Sequence, residues 1–154
     1  MSLVKKRGFT LIEILVVVAV ISVLSAIVLV AINPIKTLSR TRDNNRKLNL
    51  RSIQGVLEMY YGQNRFYPTY AASYTSGSLT FGAQLDYGGV VYQKVIPQDP
   101  TPGWGYCYNR PTASTYVMCA AVEDTGSISV PSGVTSCNPT GTGKVGDYCL
   151  TNPF

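Results

Sequence analysis

The sequence predicts an α+β chain in which a long N-terminal helix packs on a small antiparallel β-sheet. Three observations carry this. Ile14 to Ile32 is an uncharged, largely apolar run of 19 residues. Leu50, Ile53, Leu57 and Tyr60/Tyr61 recur at helical spacing and define one apolar face. The last third holds short alternating or β-branched stretches separated by Pro, Gly, Ser and Asp, with four cysteines among them.

The apolar run comes first. As a helix it rises roughly 28 Å, close to the ~30 Å hydrocarbon core of a bilayer. A secretory signal peptide has a shorter apolar core, about 7–15 residues, followed by a small-residue cleavage site. The far end of this run, LVAINPIK, offers no such site. Its many Val and Ile residues lower helix propensity in water. In lipid the backbone must satisfy its own hydrogen bonds, so a single span is helical. Glu13, just before the run, needs an explanation. An acidic or basic side chain at the centre of a membrane helix costs ~2.5–3.5 kcal/mol on insertion scales.

Lys5-Lys6-Arg7-Gly8 followed by Phe9-Thr10-Leu11-Ile12-Glu13 resembles the type III signal of type IV pilins and type II secretion pseudopilins. The resemblance implies that residues 1–8 are a leader. Prepilin peptidase would cut between Gly8 and Phe9 on the cytoplasmic side and N-methylate Phe9. It also implies a role for Glu13. In a filament the apolar helices bundle, and a buried carboxylate needs a hydrogen-bonded cation. The amino group of Phe9 on a neighbouring subunit is the implied partner. Such a pair would set the register of subunits, as buried polar groups do in other helix bundles. The competing reading is a glutamate that snorkels to the headgroups. The partners implied are further copies of the chain in a helical filament, prepilin peptidase, an inner-membrane assembly platform, and membrane lipid before assembly. The precursor would reside in the inner membrane and the filament outside it or in the cell envelope.

The remaining elements follow in order. Pro34 cannot donate to the carbonyl of Val30 and its ring crowds that turn, so a helix break is expected at Asn33-Pro34. It would serve as a membrane-end kink or as a segment that stretches on extraction from lipid. Helix resumes from about Pro34 to Tyr61, with Gly62 as its stop. From Phe9 to Tyr61 the helix would run roughly 80 Å, the lollipop of a pilin. The expected segments are a filament-core helix over 9–33, an amphipathic helix over 34–62 and a globular head over 63–154. Thr69–Gly89 reads as loop with a short helical turn near Leu79–Leu85. Candidate strands are Gly105–Asn109, Thr115–Glu123, Ser127–Val130 and Asp147–Thr151. Two further stretches extend the resemblance. LNLRSIQGVLEMYYGQNRFYP, Leu48 to Pro68, is similar to the helix end of bacterial pilins and major pseudopilins. Pro97-Gln98-Asp99-Pro100, then Gly103-Trp104-Gly105-Tyr106, resembles their turn into the sheet.

Cys107, Cys119, Cys137 and Cys149 form an even set in a small tethered head, which reads as two disulfides in an oxidising compartment. Four cysteines allow three connectivities. If Arg110–Ser114 is a hairpin loop, Cys107 faces Cys119, and Cys137 would then join Cys149. Without a CxxC pair or any histidine, a zinc site is disfavoured.

Charge sets further bounds. The net charge is +5. Three cations precede the apolar run, and six follow closely: Lys36, Arg40, Arg42, Arg46, Lys47 and Arg51. Counting cations alone would place the C-terminus in the cytoplasm. The leader and the cysteines argue the reverse, leaving those six for the outer membrane face or for contacts between subunits. Beyond Arg51 acids outnumber bases, so no basic face for nucleic acid is expected. Without histidine, Ser-His-Asp and Cys-His catalysis is excluded, and no phosphate-binding glycine motif occurs. Neither an enzyme nor a cofactor is expected. Glu123, Asp124 and Asp147 could supply oxygens to calcium, although solvated surface acids are the favoured reading. The functional expectation is the structural subunit, specifically the major pilin, of a type IV pilus-like filament. The alternatives are a secretion pseudopilin and a non-polymerising single-pass protein with a ligand-binding ectodomain.

Overall fold

The computed structural model describes residues 8–132, 134 and 137–152. The leader cations Lys5, Lys6 and Arg7 lie outside that range. The chain has two helices, α1 (Leu11–Ile32) and α2 (Pro34–Asn64), then seven short strands. It divides between Thr37 and Leu38 into two units, so the boundary falls one turn into α2.

In the first unit α1 is apolar all round, and each of its described side chains is exposed. The two serines within it return their hydroxyls to the helix, Ser22 to Val18 O (2.7 Å) and Ser25 to Ile21 O (2.8 Å). Neither hydroxyl is left without an acceptor in the span. Asn33 ends α1 in the left-handed region, φ 45°, a conformation Asn tolerates better than most residues. It also opens α2. Its Oδ1 accepts from Lys36 N (3.3 Å) and its O from Thr37 N (3.2 Å). Pro34 takes the first helical position, where no N–H is required.

In the second unit α2 runs past the expected stop. Gly62 lies inside the helix, which ends at Asn64, and Arg65 supplies the left-handed residue at φ 63°. Asn64 Nδ2 donates back to Tyr60 O at 2.9 Å, satisfying a terminal carbonyl. The expected face is the observed one. Leu50, Ile53, Leu57 and Tyr60 are fully buried, each large apolar side chain contributing about 1.5–3 kcal/mol. Tyr67 follows the helix as a second anchor. Its hydroxyl donates to Glu58 (3.0 Å), its N–H to Ala113 O (2.8 Å), and its carbonyl accepts from Arg110 (2.6 Å).

The main sheet is antiparallel, in the order β5 (Cys107–Thr112), β6 (Thr115–Val122), β7 (Gly146–Thr151). Side chains alternate across β6. Tyr116, Met118, Ala120 and Val122 join the core with α2, while Val117 and Cys119 join a second cluster with Cys137 and Cys149.

The tract expected as loop contains strands instead. β1 (Thr69–Tyr70) and β2 (Ser78–Leu79) pair in parallel. β3 (Leu85–Tyr87) and β4 (Val90–Gln93) form a hairpin whose turn is Gly88-Gly89, at φ 60° and 83°. Two positive φ angles in a two-residue loop suit the twist of flanking strands, and glycine adopts them freely. No helical turn forms near Leu79–Leu85. The expected strand at Ser127–Val130 is also replaced. Thr125–Ser127 is a 3-10 turn, and Ser129 alone bridges to Tyr148.

Both disulfides form, with a connectivity other than the expected one: Cys107–Cys137 and Cys119–Cys149. Cys119 stands opposite Cys107 on one side and Cys149 on the other. The hydrogen-bond phase chooses between them. Cys149 N donates to Ser129 O (2.7 Å), away from β6. Cys119 and Cys149 therefore face each other as a non-hydrogen-bonded pair, the kind whose side chains come closest. Their Cα atoms are 4.1 Å apart.

Candidate functional site

The candidate site is the start of α1. Thr10 is the N-cap, with extended backbone, and Glu13 occupies the third helical position. Glu13 Oε2 accepts from Thr10 N (2.9 Å) and Thr10 Oγ1 (2.9 Å), and Glu13 N donates to Thr10 Oγ1 (3.3 Å). This reciprocal capping box satisfies backbone donors that a helix start leaves orphaned. The carboxylate also lies where the helix dipole favours negative charge. Thr10 is a capping residue not singled out from the sequence. Its signal, Thr-x-x-Glu before an apolar run, was present all along.

Phe9 is 84% exposed, and nothing lies within 4 Å of where a Cβ on Gly8 would stand. The Gly8–Phe9 bond is therefore open. Leu11–Val28 forms a window of mean hydropathy 3.0, none of it buried within the chain. By length and composition it can cross a membrane. Pro34 sits immediately after the Asn33 break.

The remaining predicted residues lie in the head. Glu123 receives Arg42 Nε (2.8 Å) and Arg46 Nη1 (2.9 Å), and Asp124 receives Arg40 Nε (3.4 Å). Asp147 pairs with Lys144 at 3.4 Å. The proposed calcium oxygens are thus engaged by cations, and no group of three or more acids or cysteines is arranged for a metal among the described residues. Hydrogen bonds from Arg42, and then from Arg46, hold the Glu123 carboxyl down at about 2 despite its burial.

Arg46 is the centre of this arrangement and is fully buried. All five N–H groups have acceptors. Nε and Nη2 reach Asp99 (2.8 and 3.2 Å), Nη1 reaches Asp43 (2.8 Å) and Glu123, and Nη2 reaches Thr101 Oγ1 (2.9 Å). Trp104 lies over the guanidinium, 4.2 Å from ring centroid to Cζ. Burial pulls Arg46 toward deprotonation, and the bonds to Asp99, Glu123 and Asp43 outweigh it, so its pKa is raised. Asp43 in turn accepts the N–H groups of Glu123 (3.0 Å) and Asp124 (2.9 Å). Arg46 is buried among the head's own acids, so the expectation that it faces the membrane or a neighbouring subunit is corrected for that residue. Arg40 and Arg42 pair with Asp124 and Glu123 while their side chains stay 58% and 39% exposed.

Residues 3–29 match the family model described as the prokaryotic N-terminal methylation motif. No curated protein and no solved structure matches the chain. The match covers the start of the chain through most of α1 and stops short of the head. The exposed Gly8–Phe9 bond, the Thr10–Glu13 cap and most of the apolar helix lie within the matched residues, and this motif is the kind that type IV pilins and pseudopilins carry as their prepilin signal.

Proposed function

We propose that this chain is the structural subunit, specifically the major pilin, of a type IV pilus-like filament. The observation that carries the reading is α1 itself. It is a 22-residue helix, apolar on every side, with no described side chain buried in its own chain, and a carboxylate near its start. Such a helix is stable in lipid or among other apolar helices, and assembly exchanges the first for the second. Prepilin peptidase cuts after Gly8 and methylates the new amine of Phe9, leaving Thr10 and Glu13 as the second and fifth residues of the mature chain. Thr10 holds Glu13 Oε2, and Oε1 accepts from the amine of an incoming neighbour.

Mass spectrometry of the protein from its native cell tests this. The expected mature N-terminus is N-methylated Phe9. An intact terminus, or cleavage after the apolar run, overturns the reading. Electron microscopy of sheared surface fibres, with the subunit identified in them, tests the filament. Glu13→Lys should abolish fibres without altering the melting of the head; normal fibres would sink the pairing of Glu13 with an amine.

A further inference from the structure

We propose that the head carries a binding cleft for a neutral saccharide, next to the Arg46 cluster and sharing Asp99, Thr101 and Trp104 with it. The cleft has a volume of about 460 Å³ and is bordered by Tyr70, Phe81, Trp104, Gln98, Thr101 and Thr140. That volume falls in the ordinary range for small-molecule sites.

Its chemistry narrows the ligand. The charges at its border are already matched. Asp99, which lines it, takes Arg46 Nε and Nη2 on its two oxygens and Thr101 N (2.8 Å) on one of them. Arg46 has no N–H left to donate. A phosphate, nucleotide or carboxylate ligand would find no uncommitted cation, and a cationic ligand no uncommitted carboxylate. Burying either charge there would be strongly unfavourable.

The groups that remain are uncharged. Gln98 donates its amide to Phe81 O (3.2 Å) and retains its carbonyl oxygen. Thr101 accepts from Arg46 and retains its hydroxyl proton. Thr140 and Trp104, which also line the cleft, carry a hydroxyl and an indole N–H. Beside them is an aromatic wall. Tyr70 is 53% exposed and stands 6.2 Å from Phe81, tilted by 45°. Phe81 in turn packs edge-on against Tyr106 at 5.6 Å. Apolar ring surface next to neutral donors and acceptors matches a sugar ring, which presents C–H faces to aromatics and hydroxyls to amides. A purely apolar ligand would leave the polar groups unpaired.

The cleft is also built rather than incidental. A Cβ on Gly141 would come within 2.7 Å of the Trp104 ring, so the backbone clamps the indole in place. Gly105 N donates to Thr140 O (3.0 Å), tying Thr140 to the segment that carries Trp104. Binding does not require the filament. If the filament reading holds, each subunit displays one cleft, and weak single sites gain strength through multivalency.

Trp104 is the sole tryptophan, so its fluorescence reports on the cleft. The experiment titrates the full chain, in micelles of a detergent without a sugar headgroup, with maltotriose, cellotriose and triacetylchitotriose. A saturable change in Trp104 emission with at least one of them is expected. Tyr70→Ala should weaken it about tenfold, equivalent to ~1.4 kcal/mol, while Tyr70→Phe retains it. Three outcomes overturn the proposal: no saturable response to any of the three sugars, a response to inorganic phosphate in place of the sugars, or unchanged affinity in Tyr70→Ala. Near-ultraviolet circular dichroism of each variant checks that the head remains folded.

Discussion

Two charged side chains in this protein face the same difficulty and resolve it differently. Arg46 is buried in the head with every donor matched by acids and a threonine of its own chain. Glu13 lies in a helix made for an apolar medium, and its only described partner is Thr10, one turn back. The Arg46 cluster is complete within the head. The first helix is complete in its backbone and incomplete in its surroundings. A charge satisfied within the chain holds a fold together, while one with a single neighbour in an apolar helix is where the proposed pairing with another subunit would act.

That contrast can be broken or sharpened. The largest effect should come from Arg46→Met, which leaves Asp43 and Asp99 buried without their cation and Glu123 with Arg42 alone. The head should lose about 3–5 kcal/mol, read from urea unfolding of the full chain in micelles. A small loss would mean that the network contributes little, and the contrast with Glu13 would fade. Next, replacing Cys119 and Cys149 together with serine should cost about 2–4 kcal/mol by freeing the denatured chain. The same change should leave insertion of α1 into vesicles untouched.

Acid should separate the two regions as well. Glu123 has a folded value of about 2 against an ordinary 4.5, so the unfolded state takes up its proton first. Its contribution is complete above pH ~4.5 and is lost as the pH falls toward 2. The unfolding midpoint should decline across that window, and Glu123→Gln should flatten the decline. A slope identical in the variant would remove Glu123 as its source. The smallest effect should be Thr10→Ala, about 1 kcal/mol confined to the first turn of α1. Faster amide exchange at Leu11–Glu13, with the head unchanged, is the expected signature.

Much of this was legible in the sequence because it is local. The apolar run, the Asn33-Pro34 break and the α2 face are each written in one continuous stretch with a strong period. The helix stop was misplaced because Gly62 is permissive rather than obligatory, and Arg65 accepts the left-handed conformation that ends α2. The Gly88-Gly89 hairpin was missed among neighbouring turn residues, although two glycines between short β-branched stretches were its signature. The Arg46 cluster is different in kind. It joins residues up to 84 positions apart, and nothing local distinguishes Arg46 from Arg51. The disulfide pairing was hidden for a related reason. Strand register placed Cys119 opposite two cysteines, and only the phase of the hydrogen bonds decides between them.

The bridges Cys107–Cys137 and Cys119–Cys149 each span 30 residues and overlap without nesting. A single proteolytic nick anywhere between Cys107 and Cys149 therefore leaves the protein in one covalent piece. The pairing of neighbours, Cys107 with Cys119 and Cys137 with Cys149, would shed the C-terminal fragment after one cut between Cys119 and Cys137. A head exposed to proteases outside the cell would keep its last strand even when clipped.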